Sequence, residues 1–391
     1  MKNWQKALLF TLSHLVVALI AVVATLFLAT GSDNAGMIKL NQLRTMIEKM
    51  YVGELDETAM FDRAAAGMVE GTGDRWSYYV PAASMDDYNA QKDNVYVGVG
   101  ITISQREDGK GIDILTVEPG GSAQEQGLQP GDILVKVGGK SLENMTTEDI
   151  SALIKGEENT QVVVTVLRQN TEMEFTLTRK TIAKQVAQGQ MLEGNIGYIR
   201  IANFNTNCAK ESIAWVDQLL AEGATALIFD VRYNGGGYVT ELVKLLDHLL
   251  PEGDLFISED YTGKRTVATS DSDCVNVPMM VLVNESSYSA AEFFAAALRE
   301  YEKAKIVGLP TVGKGYFQNT FTLSDGSAVA LSVGKYFTPK GVNLSEAGGL
   351  TPDQVVEVDA KTASGIYSQT LEPKDDPQIQ AAVQLLSGKE D

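Results

Sequence analysis

Histidine and cysteine are the scarcest chemically reactive residues of this 391-residue chain, which contains only His14, His248, Cys208 and Cys274. A zinc site built from several histidines is therefore excluded, and so is a framework of several disulfide bonds. The sequence does not say whether the two cysteines pair with each other. His14 lies in an apolar N-terminal stretch, so a hydrolase built on this chain uses His248 as its general base or uses a base other than histidine.

Positive charge is also in short supply. The chain has 51 acidic and 32 basic residues, which gives a formal net charge of −19. An acidic surface repels phosphate backbones, so nucleic acid is not expected as a partner. The length and the 44% hydrophobic content allow a sizeable core, and a prior of roughly 100–200 residues per domain predicts two or three domains.

An uncharged run from Ala7 to Ala29 is long enough to cross a bilayer as a helix. It is longer than the apolar part of a signal peptide and lacks a clear cleavage site, so we favour an uncleaved anchor over a cleaved leader. Lys2 and Lys6 precede the run, and the next basic residue is Lys39. The positive-inside rule then predicts a single-pass protein of the cell membrane whose catalytic part is extracytoplasmic.

The spacing of apolar residues divides the remaining chain into regions. A helical pattern is followed by short alternating strands and then by alternating strands and helices, which predicts an α/β architecture. The predicted parts are a cytoplasmic stub with a transmembrane anchor (1–30), a helical region (31–92), a β-rich domain (93–182), an α/β core (183–368), and a tail in which Pro377 opens a short helix (369–391).

Glycines at the start of the β-rich domain indicate a pocket for a peptide carboxylate. In the run Gly98, Val99, Gly100 and Ile101, backbone N–H groups can turn outward and hold an anion. Together with the segment 122–134, this run resembles a PDZ domain over about residues 93–182. The resemblance implies that these four residues bind the C-terminus of a protein, added as a strand at the sheet edge. Unlike most PDZ domains, the chain has Gly138 where Asn or Asp is usual.

A candidate nucleophile follows the apolar strand Met279–Val283. Ser286, Ser287 and Ser289 occupy the turn into a helix, where N–H groups and the helix dipole stabilise an oxyanion. The local sequence leaves the choice among the three serines open, because serine is also a common helix cap.

Lys314 is the candidate general base. A lysine can take a proton only when it is neutral, which requires burial or a cationic neighbour. Val312, Tyr316 and Phe317 are available as an apolar wall. If the segment is a strand, Gln318 lies on the same face as Lys314 and can orient the amine.

A glycine turn completes the candidate site. The apolar strand 224–231 ends near Gly235, Gly236 and Gly237, whose backbone can approach a ligand closely. We expect the N–H groups of the Gly235–Gly236 turn and of Ala290 to form an oxyanion hole.

These segments resemble the C-terminal processing peptidases, or tail-specific proteases, over about residues 35–360. The resemblance rests on an Asp-x-Arg-x-Asn-x-Gly-Gly motif (230–237), a Ser-x-x-Glu motif (289–292) and a Gly-Lys-Gly-x-x-Gln motif (313–318), and the segments 336–341 and 351–353 also match. It implies a membrane-anchored, PDZ-containing serine protease with a ClpP/crotonase-like α/β core.

The resemblance also implies the roles of individual residues. Ser289 is the nucleophile, Lys314 the base and Gln318 its orienting residue, and no metal or cofactor takes part. Protein or peptide substrates with accessible C-termini are implied, as is a homodimer formed through the helical segments. The PDZ domain either delivers substrate or gates the site. The chain departs from the family at 285–288, where Tyr288 can narrow the substrate pocket.

Three alternatives were weighed against this interpretation. The segment 308–314 fits the first seven positions of a phosphate-binding P-loop, but Gly315 replaces the Ser or Thr that binds Mg²⁺ and a strand follows instead of a helix, so we reject it. A Ser-His-Asp triad would need His248, which we expect on a packing helix or at the surface. A membrane-anchored PDZ scaffold with an inactive core is disfavoured because Ser289, Lys314 and Gln318 are all present.

Overall fold

The computed structural model describes residues 10–11, 14–22, 35–106, 108–118 and 120–388. The chain divides into two compact units, Met1–Met68 and Val69–Asp391. In the first unit, residues 14–22 are helical, and two further helices begin there: α1 (Ala35–Met50) and α2 (Glu57–Glu70).

The predicted membrane span covers residues 7–29, of which 7–9, 12–13 and 23–29 lie outside the described residues. Within the described part of the chain, none of the helices combines the length and the apolar character needed to cross a membrane. The anchor stays a prediction.

The region predicted as helical before residue 93 is more varied than expected. Helix α3 (Met85–Lys92) ends it, but Tyr78–Val80 forms strand β1, which pairs antiparallel with a strand near residue 330. A short run of aromatic and β-branched residues has high strand propensity, and pairing with a distant strand decides the outcome. Sequence spacing alone does not detect this contact.

A β-rich domain follows, with a five-stranded sheet in the order β3-β4-β5-β7-β8, the short strand β6 beside β5, and a separate β2–β9 ribbon. Two helices, α4 and α5, accompany the sheet. The bounds are β2 Val95–Gly98, β3 Ile101–Gln105, β4 Ile112–Val117, α4 Ser122–Glu125, β5 Ile133–Val137, β6 Lys140–Ser141, α5 Thr147–Ile154, β7 Gln161–Arg168, β8 Thr171–Thr178 and β9 Lys180–Ala183.

The alternation between Val95 and Ile103 predicted one strand, which is wrong. The extended conformation is interrupted between β2 and β3. Gly100 has a φ of +84° there, and a Cβ on it would lie 2.9 Å from the Cα of Gly121. Only glycine accepts both the positive φ and the close approach.

The α/β core is a six-stranded sheet in the order β10-β11-β12-β15-β16-β19, with three helices against it. Strand β10 is antiparallel to β11, and the other neighbours are parallel. The bounds are β10 Ala187–Leu192, β11 Ile196–Ile201, α6 Cys208–Ala221, β12 Ala226–Asp230, α7 Val239–Leu249, β15 Met279–Val283, α8 Ala290–Glu300, β16 Ala304–Gly308 and β19 Gln354–Val355.

Strand β12 shows why the central strands are continuously apolar. Leu227 and Phe229 belong to the core beneath α6, α7 and α8, whereas Ala226 and Ile228 pack on the opposite face with Ile379. Parallel strands covered on both faces have this pattern. Since β12 and β15 are parallel neighbours, the turns that follow them lie at the same edge of the sheet, where α/β proteins hold their ligands.

A second sheet has the order β1-β18-β13-β14, with β17 also on β18. Its further strands are β13 Gly253–Asp260, β14 Arg265–Ser270, β17 Tyr316–Thr322 and β18 Ala328–Phe337. After the core come α9 (Ala360–Tyr367), a 3₁₀ turn (Pro373–Asp375) and α10 (Pro377–Leu386). The predicted final helix opened by Pro377 is confirmed.

Candidate active site

The glycine turn after β12 lies against the serine turn after β15. Gly236 has a φ of +81°, and a Cβ on it would lie 2.7 Å from the Cβ of Ser289 and 2.8 Å from the backbone N of Ala290. A side chain at this position would therefore collide with the candidate nucleophile. Glycine is required here by both the backbone conformation and the lack of space.

Ser289 is the serine of its turn that faces the cleft. It immediately precedes α8, is buried, and has a φ of 60° and a ψ of −127°. Ser287 is fully buried, and its hydroxyl donates to the carbonyl of Val231 at 2.8 Å. Among the three serines, Ser289 lines the central cleft and Ser286 and Ser287 do not.

The backbone conformation of Ser289 is unusual for a residue other than glycine. A strained φ/ψ pair costs of order 1–3 kcal/mol and persists only where surrounding contacts hold it. Here the N–H of Ser289 donates to Oε2 of Glu292 at 2.9 Å. Strain of this kind is common where a side chain must project from a sharp strand-to-helix turn.

Lys314 lines the same cleft, of about 650 Å³, as Ser289. Its amine lies 4.6 Å from the ring centroid of Trp76 and 5.9 Å from that of Tyr288. Burial and the positive charge of Lys92 lower the pKa of Lys314, Asp74 and Glu292 oppose the shift, and the resulting pKa is about 8. The amine is therefore neutral in a useful fraction of molecules near neutral pH.

Lys314 precedes strand β17 rather than lying within it. The strand argument that put Gln318 on the same face therefore does not apply. The side-chain amide of Gln318 donates to Oγ of Ser332 at 2.9 Å and to the carbonyl of Tyr316 at 3.4 Å. Gln318 lines the cleft with Lys314, but these bonds do not join it to the lysine.

Glu292 is the functional residue that sequence reasoning left without a role. Its buried carboxylate accepts hydrogen bonds from the N–H groups of Ser289 (2.9 Å), Gly313 (2.7 Å) and Lys314 (2.9 Å), and from the hydroxyl of Thr311. One carboxylate therefore ties the turn of the candidate nucleophile to the segment of the candidate base. A buried acidic residue three positions after Ser289 is the signal that could have found it.

A second set of residues comes from the segment before β1. The Ser77 hydroxyl donates to Asp74 at 2.6 Å and accepts from the N–H of Ser332 at 3.0 Å. These two hydrogen bonds of Ser77 hold the segment against β18. Trp76, which lies between Asp74 and Ser77 in the sequence, covers the amine of Lys314. The link between residues 74–77 and the cleft depends on a long-range strand pairing, so local sequence patterns do not reveal it.

The N–H groups predicted to form the oxyanion hole differ in whether they already donate a hydrogen bond within the protein. The N–H of Gly236 donates to Oδ1 of Asn234 at 2.8 Å. The backbone hydrogen bonds of the described residues include none donated by Gly235 or Ala290. Of the three predicted donors, Gly235 and Ala290 are thus the two that a ligand can use without displacing a protein acceptor.

Buried charges support the glycine turn from behind. The guanidinium of Arg232 lies 2.6 Å from the carboxylate of Asp230 and 2.9 Å from that of Asp376, and it donates to Gln378 at 2.8 Å. The Tyr198 hydroxyl donates to Asp230 at 2.6 Å. The C-terminal helix α10 is thereby attached to the segment that carries the turn.

The predicted peptide-binding run lies apart from the residues that line the cleft. Residues 98–101 form the end of β2, the glycine break and the start of β3. The carbonyls of Val99 and Gly100 accept from Ala123 and Glu118 at 2.9 Å each. Strand β3 is the edge of its sheet, so one side of it is open to an added strand.

The remaining candidates lie elsewhere. His248 is on α7, 3.1 Å from Asp217, and does not line the cleft. Cys208 and Cys274 are both free thiols, which answers the question of their pairing. Tyr288 lines the cleft beside the candidate nucleophile, and a Cβ on Gly235 would lie 2.6 Å from its hydroxyl.

Comparison with known proteins agrees with this arrangement. Residues 195–356 match peptidase family S41, and residues 114–168 match the PDZ domain. The fold resembles that of a protein from Bacteroides fragilis assigned to the S41 proteases, with a TM-score of 0.54, 19% identity, and coverage of 88% of this chain and 93% of the other. Fold and site together define a serine peptidase that carries a PDZ domain.

Two relatives specify the class further. The carboxyl-terminal-processing protease of Synechocystis is 33% identical over 298 residues, covering 74% of this chain and 68% of that protein. The carboxy-terminal processing protease CtpA of Bacillus subtilis is 30% identical over 349 residues, covering 85% and 74%. The chain belongs to the carboxyl-terminal processing proteases of peptidase family S41. These relatives support an enzyme rather than an inactive scaffold.

Proposed function

We propose that this peptidase works through Ser289 as nucleophile and Lys314 as general base. The observation that carries the proposal is the lysine itself, which lines the same cleft as Ser289 and whose pKa is lowered to about 8. At pH 7 about a tenth of such lysines are neutral, against roughly one in 2,500 for an ordinary lysine with a pKa near 10.4. Burial therefore allows Lys314 to act as the general base in a chain that has few histidines.

The proposed reaction is acyl transfer. Neutral Lys314 takes the hydroxyl proton of Ser289 as the oxygen attacks a peptide carbonyl, and the resulting ammonium returns the proton to the leaving amine. Water then attacks the ester carbon of the acyl-enzyme and passes a proton to Lys314; the bond to the Ser289 oxygen breaks, and the ammonium returns that proton to the oxygen. The new carboxyl group and the regenerated hydroxyl complete the cycle.

The N–H groups of Ala290 and of the Gly235–Gly236 turn are the proposed oxyanion hole. Support comes from the contact of this turn with Ser289 and from the position of Ala290 at the first residue of α8. Gly235 is the readier donor, since Gly236 already bonds Asn234. Loss of one such donor typically costs about 10²–10³ in kcat.

Gln318, on strand β17, is proposed to orient the amine of Lys314. Its presence in the cleft supports the role, although its NH₂ group bonds Ser332 and Tyr316 and no hydrogen bond joins it to the lysine. The expected effect of Gln318→Ala is therefore smaller than that of losing Lys314.

The proposed substrates are unstructured proteins cleaved at or near their C-termini. The names of both curated relatives, which are carboxyl-terminal processing proteases, support this class. Residues Gly98, Val99, Gly100 and Ile101 are proposed to hold the substrate C-terminus, because they lead into β3, the open edge strand of the PDZ sheet. Backbone pairing supplies affinity in this mode of recognition.

Two further proposals concern the partners of the chain. The uncharged run 7–29 is proposed to anchor it in the cell membrane with the catalytic part outside the cytoplasm, which protease accessibility in intact cells tests.

The helical region is proposed to pair with a second copy of the chain. The exposed apolar residues Met37, Leu43 and Met46 of α1 support this proposal, and sedimentation of the wild type against a Leu43→Glu variant tests it.

The central test compares cleavage of an unstructured protein by the wild type, Ser289→Ala and Lys314→Ala. We expect each substitution to abolish cleavage while thermal unfolding and circular dichroism remain close to those of the wild type. His248→Ala serves as the matched control and retains activity. Cleavage by folded Ser289→Ala would refute the assignment.

A further inference from the structure

The catalytic cleft is cationic in an otherwise acidic protein. Three positively charged side chains, Arg75, Lys92 and Lys314, line it, and no Asp or Glu does. The chain as a whole carries a net charge of −19. A run of cations in one cleft of such a protein focuses positive potential there and attracts anions.

None of these three cations is neutralised by an ion pair among the described residues. The two carboxylates that act on Lys314 lie outside the cleft lining and make other bonds: Asp74 accepts from the Ser77 hydroxyl, and Glu292 accepts backbone N–H groups. The positive charge of the cleft is therefore available to a ligand.

Aromatic rings hold the two outer cations at the cleft. The guanidinium carbon of Arg75 lies 4.2 Å from the ring centroid of Trp76, whose face also covers the amine of Lys314. The amine of Lys92 lies 5.8 Å from the rings of both Tyr88 and Tyr238. Contacts of this kind restrict long side chains while leaving the charged groups able to donate hydrogen bonds.

We propose that Arg75 and Lys92 form an anion subsite of the catalytic cleft, which selects peptides that carry a carboxylate close to the scissile bond. The inference rests on the proposed function, since it takes the cleft of Ser289 as the peptide cleft. Lys314 is not part of the subsite, because it must be neutral to act as the base. The carboxylate is an Asp or Glu side chain or the free C-terminus of the substrate.

The test uses peptides that span one bond cleaved by the wild type in an unstructured protein. One pair differs by Glu against Gln beside the bond, and a second pair by a free C-terminal acid against an amide. The value compared is the ratio of kcat/KM for the charged to the neutral peptide. A ratio cancels any effect of Arg75 or Lys92 on the chemistry of Lys314, because both peptides share that step.

We expect a ratio of about ten for the wild type at low salt, falling as salt screens the charges. In Arg75→Gln with Lys92→Gln the ratio falls towards one. Lys305→Gln changes an exposed lysine of β16 that does not line the cleft; it removes one positive charge elsewhere on the surface and keeps the wild-type ratio. The peptide pair that shows the preference identifies the source of the carboxylate.

The inference and the proposed function fail in different ways. Equal kcat/KM for charged and neutral peptides in the wild type overturns the subsite and leaves Ser289 and Lys314 unaffected. The subsite is also overturned if the ratio of kcat/KM stays at the wild-type value in the double variant, or if it falls equally in Lys305→Gln. Either result would mean that the preference for charged peptides does not come from Arg75 and Lys92. Cleavage by Ser289→Ala instead overturns the proposed function.

Discussion

At the scale of single residues, the site depends on a lysine whose charge is suppressed by its surroundings. Burial against Trp76 and Tyr288 and the nearby charge of Lys92 act in one direction. The cation–π contact with Trp76 acts in the other, because a ring face favours the charged amine. With Asp74 and Glu292 opposing them, burial and the like charge leave the pKa of Lys314 at about 8.

Glu292 illustrates a residue that acts by positioning others. Its carboxylate accepts four hydrogen bonds, three of them from backbone N–H groups of the segments that carry Ser289 and Lys314. A glutamine has one acceptor oxygen, and its NH₂ group would face an N–H donor.

We expect Glu292→Gln to lower kcat by about 10²-fold with a smaller change in KM, since a small displacement of reacting groups has this effect. The melting temperature also falls, because buried donors lose their acceptor. Steady-state kinetics and calorimetry check both effects. Glu302→Gln, at a position remote from the cleft lining, is the control. A wild-type kcat in Glu292→Gln would show that the carboxylate does not position the site.

At the scale of elements, the C-terminal helix supports the glycine turn through buried charge. Burial disfavours the charged form of Asp230, but the Arg232 guanidinium outweighs it and holds the pKa of that carboxyl below its usual range. Asp376 adds a second carboxylate to Arg232 and caps α10 by accepting from Gln378 and Ile379. One residue thus links the helix start to the strand that ends in the turn.

Replacing Asp376 by Asn keeps a good helix cap but removes the charge. We expect the free energy of unfolding to fall by about 2 kcal/mol, since Arg232 keeps only Asp230 as its buried partner. Chemical denaturation measures the change. Asp359→Asn is the matched control, because Asp359 caps the exposed start of α9 without an ion pair. Equal effects of the two substitutions would contradict the buried support.

At the scale of the whole molecule, the sequence predicted many elements of the fold and several residues of the cleft, among them Ser289, Lys314 and Gln318. The predicted bounds are confirmed for strands 112–117, 133–137, 196–201 and 279–283 and for helix 147–154. The spacing of apolar residues in these elements corresponds to the faces that are buried in the fold. The motifs also placed Ser289 and Lys314 in one cleft, since parallel neighbouring strands bring their turns together.

The rest depended on contacts between residues distant in sequence. Strand β1, the cover of Trp76 on Lys314 and the link from Ser77 to Ser332 all follow from pairing with β18. The break at Gly100 follows from close packing against Gly121. Local periodicity contains no information on such approaches. It therefore predicts one strand across the break at Gly100 and leaves open whether Lys314 lies within the strand that it precedes.

The central claim is that neutral Lys314 activates Ser289, and the pH dependence of kcat/KM on a neutral peptide tests it most directly. Activity rises with pH as the lysine loses its proton, so the account predicts a single ascending limb with a midpoint near 8. In Lys92→Gln the limb moves to higher pH, because a positive neighbour is lost. A midpoint near the ordinary lysine value, or activity in Lys314→Arg at any pH, would contradict the account.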